Sequence, residues 1–166
     1  MNYKKLLIFS ITAIIIFFPN NQSSAYFTTA QNEILLNDGS GLFLIEYSFS
    51  NKKNDISMPI LAQESNSKNR SFLEYSIFNS QGETVSGKTT AIVLSNAQIL
   101  DSRLYKIPKG TFGTFTLAVV FTPEIKDKKE KYRLEVTSLP FDFIGQAQLQ
   151  LNPSELQYYT TKFLRL

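Results

Sequence analysis

The chain of 166 residues contains no cysteine, no histidine and no tryptophan. Without His or Cys there is no Ser-His-Asp or Cys-His nucleophile pair, no thiol redox centre, and no zinc site of the usual nitrogen and sulfur ligands. The chemistry left open is that of carboxylates, Lys, Tyr or an oxygen-ligated metal, and no cofactor is expected. Charge of one sign is also scarce. The formal net charge is +3, and Lys4 and Lys5 supply two of those charges, so the rest of the chain stands near +1. Phosphate backbones are held by clustered excess cation, so nucleic acid is not an expected partner.

What is present begins at the N-terminus. Lys4 and Lys5, the apolar run Leu6 to Phe18, and Ser23-Ser24-Ala25 read as a cleavable secretory signal over residues 1–25, cut between Ala25 and Tyr26. Pro19 breaks the h-region just before the cleavage segment. The run is shorter than the roughly 20 residues of a spanning helix, so no stable membrane anchor is expected after cleavage, and no cysteine offers a lipid attachment point. The expected product is one domain, 26–166, exported to the medium, the periplasm or the cell surface. A domain of that size buries about two-thirds of its unfolded surface on folding. With no disulfide, its aromatic content must supply the core: the whole chain has 14 Phe and 8 Tyr. Abundant Lys, Asn, Ile and Phe suit an AT-rich bacterial genome.

Past the leader, short β-rich runs alternate with turn clusters, and no repeat, linker or long helical period interrupts them. Strands are predicted over Phe27 to Leu36, Leu42 to Ser50, Ile56 to Ala62, Phe72 to Asn79, Lys88 to Ser95, Leu104 to Ile107, Thr114 to Thr122, Tyr132 to Leu139 and Tyr158 to Leu166. Phe43, Ile45, Tyr47 and Phe49 share one face of the second run, with Glu46 and Ser48 opposite. Phe115, Leu117, Val119 and Phe121 form the core face of the clearest strand. Pro59 points to an edge strand or bulge. The charged stretch Glu124 to Lys131 is expected to close a hairpin between its two flanking strands. Asn152-Pro153-Ser154-Glu155 has the form of one capped helical turn.

Seven to nine strands at this spacing predict an all-β, two-sheet antiparallel β-sandwich of immunoglobulin-like type, with a jelly roll or barrel as the alternative. Ile107-Pro108-Lys109-Gly110, Phe115-Thr116-Leu117 and Leu134 to Leu139 resemble the closing strands of immunoglobulin-like domains on bacterial surface and secreted proteins. As a whole the chain resembles small exported bacterial proteins of that type. The resemblance covers about a third of the chain, lacks the Cys-Trp-Cys core of antibody domains, and implies fold and compartment only.

Each candidate site has a plainer structural explanation. Glu46, Glu74 and Glu135 sit mid-strand, where paired carboxylates could serve glycoside hydrolysis, but all three fall in the polar phase opposite an apolar face. Asn37-Asp38-Gly39-Ser40-Gly41 places oxygens at alternate positions, which makes Asp38 a candidate Ca²⁺ ligand; a β-turn needs the same residues. Lys126 to Lys131 is mixed in sign, as a solvated loop is. Tyr158 and Tyr159 are candidate ligand contacts, of which only one can stack, since neighbours on a strand face opposite ways. Asn69-Arg70-Ser71 has the form of a glycosylation sequon. These observations imply an exported, non-catalytic domain acting through protein or cell-envelope contacts. A carbohydrate-binding module is the alternative, and a carboxylate-dependent hydrolase the third reading.

Overall fold

The computed structural model describes residues 12–17, 24–65, 72–124, 130–143, 149–150 and 153–166. They are almost entirely β. The strands are β1 (Thr12–Phe17), β2 (Ser24–Leu35), β3 (Gly41–Asn51), β4 (Ile56–Pro59), β5 (Ala62–Glu64), β6 (Leu73–Asn79), β7 (Gly87–Ser95), β8 (Gln98–Ile99), β9 (Leu104–Ile107), β10 (Phe112–Pro123), β11 (Lys131–Ser138), β12 (Pro140–Phe143), β13 (Leu149–Gln150) and β14 (Leu164–Arg165). A single helical turn, α1 (Pro153–Leu156), stands where the Asn-Pro-Ser-Glu signature predicts one. Several strands span only two to four residues, so the fourteen segments exceed the seven to nine expected.

Three sheets result. The largest has the order β1-β2-β3-β10-β7, with every pairing antiparallel. A second runs β14-β11-β6-β5, in which β5 and β6 are parallel. The third runs β13-β12-β4-β9-β8. Strict alternation on β3 and β10 turns Phe43, Ile45, Tyr47 and Phe49, and Phe115, Leu117, Val119 and Phe121, onto one face of the large sheet, all essentially without solvent contact.

Ring pairs tie that face to both smaller sheets. Phe121 meets Tyr132 of β11 at 5.2 Å between centroids, Phe115 meets Tyr105 of β9 at 5.7 Å, and Phe49 meets Phe141 of β12 at 6.0 Å. One large sheet facing two smaller ones across a single aromatic core is consistent with a β-sandwich. Edge-to-face geometry dominates these contacts, as ring quadrupoles favour.

Three expectations are corrected. β10 and β11 do not form a hairpin: β10 pairs with β3 and β7, and β11 pairs with β6 and β14. Both strands carry a complete inward apolar face, and such faces bury each other by stacking across the core rather than by lying side by side. The run Ile56 to Ala62 splits after Pro59. β4 stays between β9 and β12, whereas β5 joins β6. Pro59 ends β4 beyond the two residues that pair with β12, so its missing N–H interrupts no bond there, and β4 is not an edge.

The last nine residues form no continuous strand, yet they do follow β11. The Val136 N–H donates to the Tyr159 carbonyl at 3.0 Å, and the Thr161 N–H donates to the Leu134 carbonyl at 2.9 Å. The Leu134 N–H donates to Thr161 Oγ1 at 2.9 Å. Pairing resumes at Tyr132 with Leu164, one residue out of step with the Glu135 to Thr160 bridge. Across the core edge, Gln31 Nε2 of β2 donates to the Tyr158 carbonyl at 2.5 Å, and the Lys162 N–H donates to Glu33 at 2.6 Å. Gly41 makes room for the terminal leucines, since a Cβ there would lie 2.8 Å from a Leu166 methyl and 3.1 Å from one of Leu164.

Candidate interaction surface

Residues directly opposite in an antiparallel pair share a face, so the register of the large sheet fixes its outer surface. One row across β2, β3, β10 and β7 reads Ile34, Leu42, Val120, Thr90. The next reads Asn32, Leu44, Ala118, Ile92, and the third Ala30, Glu46, Thr116, Leu94. Eight of these twelve positions are Ile, Leu, Val or Ala, in a place where a solvated face carries polar residues. Ile92 and Leu94 are each 53% exposed and Ile34 is 39% exposed. None of these side chains belongs to the core. With strands about 4.8 Å apart and same-face residues about 7 Å apart, the eight apolar positions cover roughly 270 Å², close to the size of the largest apolar patch on an ordinary monomer.

Charge on this face is confined to its margins. Among the outward positions of the four strands, Glu46 carries the one negative charge and Lys88, opposite Thr122 at the far end of β7, the one positive charge. Both are exposed, and neither makes an ion pair among the described residues. A signal for this surface is present in the sequence. Leu42-Phe43-Leu44-Ile45, Ala91-Ile92-Val93-Leu94 and Ala118-Val119-Val120-Phe121 are apolar in both phases of the strand, the pattern of sheets covered on two sides. Attention to the inner phase alone hides it.

A second feature is a cleft of about 620 Å³ on the third sheet. Pro59, Leu61, Phe72 and Pro140 form its apolar walls, and Asp101, Arg103 and Asp142 its polar groups. Asp101 is occupied by its own loop, accepting the Arg103 and Leu104 N–H groups at 2.7 and 3.0 Å. Asp142, opposite Ser57 on β4, has one carboxylate oxygen buried with no hydrogen-bond partner among the described residues. Burial pushes its pKa up from the ordinary carboxyl value.

The residues singled out from sequence separate rather than converge. Glu46 is on the outer face of the large sheet, whereas Glu74 and Glu135 stand on the outer face of the second sheet, opposite Ser138 and Ser76. Glu74 accepts from Gln63 Nε2 at 3.3 Å, and Glu135 pairs with Arg133 at 2.5 Å. Asp38 turns inward on its own loop, where its Oδ1 accepts the Ser40 N–H at 3.0 Å and the Ser40 hydroxyl at 2.5 Å. Gly39 follows at φ 81°, the left-handed conformation that the turn requires. Among the described residues no three acidic side chains gather as a metal site.

Tyr159 must be corrected as a ligand contact: its ring is fully buried, 5.9 Å from that of Tyr47, and burial raises its phenol pKa and keeps it protonated. Tyr158 faces outward, 37% exposed. The sequon Asn69-Arg70-Ser71 and the lysines Lys126, Lys128 and Lys129 lie outside the described residues.

Ala25 and Tyr26 lie within β2, paired with Asn51 and Ser50 on one side and with Ile16 and Ile15 of β1 on the other. No described helix is long and apolar enough to cross a membrane, which leaves membrane-spanning strands unaddressed. No protein-family model matches the chain, and no curated protein matches it.

Proposed function

We propose that residues 26–166 form an exported, non-catalytic domain of immunoglobulin-like type that works by docking a protein or cell-envelope component on the outer face of its large sheet. The observation that carries this reading is the apolar surface around Leu44, Ala118, Val120 and Ile92 on the sheet with the longest strand pairings. Burying such a surface against a partner gains about 25 cal/mol per Å² of apolar area, offset by the cost of association. The immunoglobulin-like assignment is supported by the crossing from β10 in one sheet to β11 in the other. Carbohydrate binding remains the second reading, now centred on the cleft that Asp142, Arg103 and Phe72 line, with polar groups for sugar hydroxyls and a ring for stacking. A glycan array with wild type and Asp142→Ala tests it.

The docking reading is tested by placing a photo-crosslinking amino acid at position 92 in cells, with position 81 as an exposed control in the turn after β6. Adducts with one defined envelope species or with another copy of the chain are expected from position 92 alone. Equal labelling from both positions, or none, overturns the reading.

A further inference from the structure

The outer face of the large sheet has a symmetry that its sequence of rows makes visible. Glu46 lies midway along β3 and Lys88 near the start of the edge strand β7, two strands and three same-face steps apart. Strand spacing and rise put them roughly 20 Å apart, with the midpoint on β10 between Ala118 and Val120. That midpoint falls within the apolar rows: Ile34, Leu42 and Leu44 lie to one side of it, Ile92 and Leu94 to the other.

We infer that the partner for this face is a second copy of the chain, packed face to face about a two-fold axis that passes over β10 between Ala118 and Val120. This deepens the docking reading and rests on it. A two-fold axis lying in the interface, perpendicular to the line from Glu46 to Lys88, carries each of these residues onto the position of the other. Glu46 of each copy then faces Lys88 of its mate, and two ion pairs bracket a shared apolar centre. Isologous interfaces require this self-complementarity, in which residue i meets j and j meets i. A face bearing one acid and one base on either side of an apolar middle meets that requirement. Each unpaired charge would otherwise sit at the border of an apolar surface without a partner.

Area sets the expected strength. The apolar centre of roughly 270 Å² per copy is well below the approximately 800 Å² per partner of a standard interface, so the polar margins must contribute and the association is a reversible one. The line from Glu46 to Lys88 runs about 25° off the strand direction, so this axis crosses the strands of the two copies at about 50°, with the mean sheet planes about 10 Å apart.

Sedimentation of the purified protein from about 1 to 500 μM tests the inference. The mass is expected to rise from monomer to dimer across this range and to stop there. Ile92→Glu should abolish the dimer. Glu46→Lys and Lys88→Glu should each weaken it at least tenfold by setting like charges against each other at both ends, and salt should weaken the wild type. The double variant Glu46→Lys/Lys88→Glu should return to within about threefold of wild type, a rescue that damage to folding cannot produce. Circular dichroism melts of all four variants report whether the fold persists. A chain that stays monomeric to 500 μM, or a dimer indifferent to Ile92→Glu, overturns the inference, as does a double variant without rescue. If the monomeric protein still crosslinks from position 92 to a different envelope species, the docking reading stands and only self-pairing falls. If neither association depends on position 92, both fall.

Discussion

Single residues in this molecule divide by whether the core completes their contacts. Phe115 is enclosed by Tyr47, stacked at 5.3 Å, and by Phe49 and Tyr105 at their edges. Phe115→Ala should therefore cost about 3–5 kcal/mol in a denaturant titration. Tyr159 differs in one atom: its ring is buried against Tyr47, but its hydroxyl has no partner among the described residues. An unsatisfied buried hydroxyl is penalised by about 1–3 kcal/mol, so Tyr159→Phe should leave stability unchanged or raise it, measured the same way. Asp142 extends the same logic to a charge. Its pKa is raised by burial, so the folded state holds the proton more tightly than the unfolded state does. Ionisation penalises folding as pH rises through that window, and the penalty vanishes below the ordinary carboxyl value. Asp142→Asn should raise the melting temperature by a few degrees near pH 7 and leave it unchanged near pH 3. The inward ring of Phe115 was legible from alternation alone, whereas the orphaned oxygens of Tyr159 and Asp142 depend on which neighbours the fold brings.

Among the elements, the long strands matched their sequence patterns and the junctions did not. β3, β7, β9 and β10 lie where β-rich runs predict them, because each has a strict period-2 inner face. The hairpin expected between β10 and β11 failed because loop length and charge specify a connection, not which edges meet. The terminal segment shows the intermediate case. An apolar end must pair with something, and it does so within its own chain, through the main-chain bonds of Tyr159 and Thr161 to β11 and the stacking of Arg133 over Phe163 at 4.9 Å. Deleting residues 158–166 removes a fully buried ring and uncovers the edge of β11. The truncated protein should lose cooperative thermal unfolding; a shortened chain with an unchanged melt would show that the segment is dispensable.

On the scale of the whole molecule, the proposed export and cleavage would set the order in which folding proceeds. In the full chain the bond between Ala25 and Tyr26 lies inside a three-strand ladder, with β1 on one side and β3 on the other. A peptidase needs an extended, unpaired segment, so cleavage at this bond has to precede assembly of the large sheet. Intact mass of the exported protein should correspond to residues 26–166. Recovery of the full chain from a folded, exported fraction would instead make Thr12–Phe17 a permanent edge strand. Loss of β1 would also leave the N-terminal half of β2 as a new edge, beside the Gln31 and Glu33 contacts that anchor the C-terminal segment.

The sequence by itself determined the all-β class, the aromatic core and the exclusion of His and Cys chemistry, because strand period and residue inventory are local properties. It also held the second apolar phase of Leu42 and Leu44, Ile92 and Leu94, and Ala118 and Val120. Only the tertiary structure decided that these three segments are neighbours in one sheet, and that Glu46 and Lys88 stand on either side of the surface they make. Strand order and register are set by contacts between residues up to tens of positions apart. No periodicity along the chain encodes them, so a surface built from three separate strands becomes a single object only when the sheet is assembled.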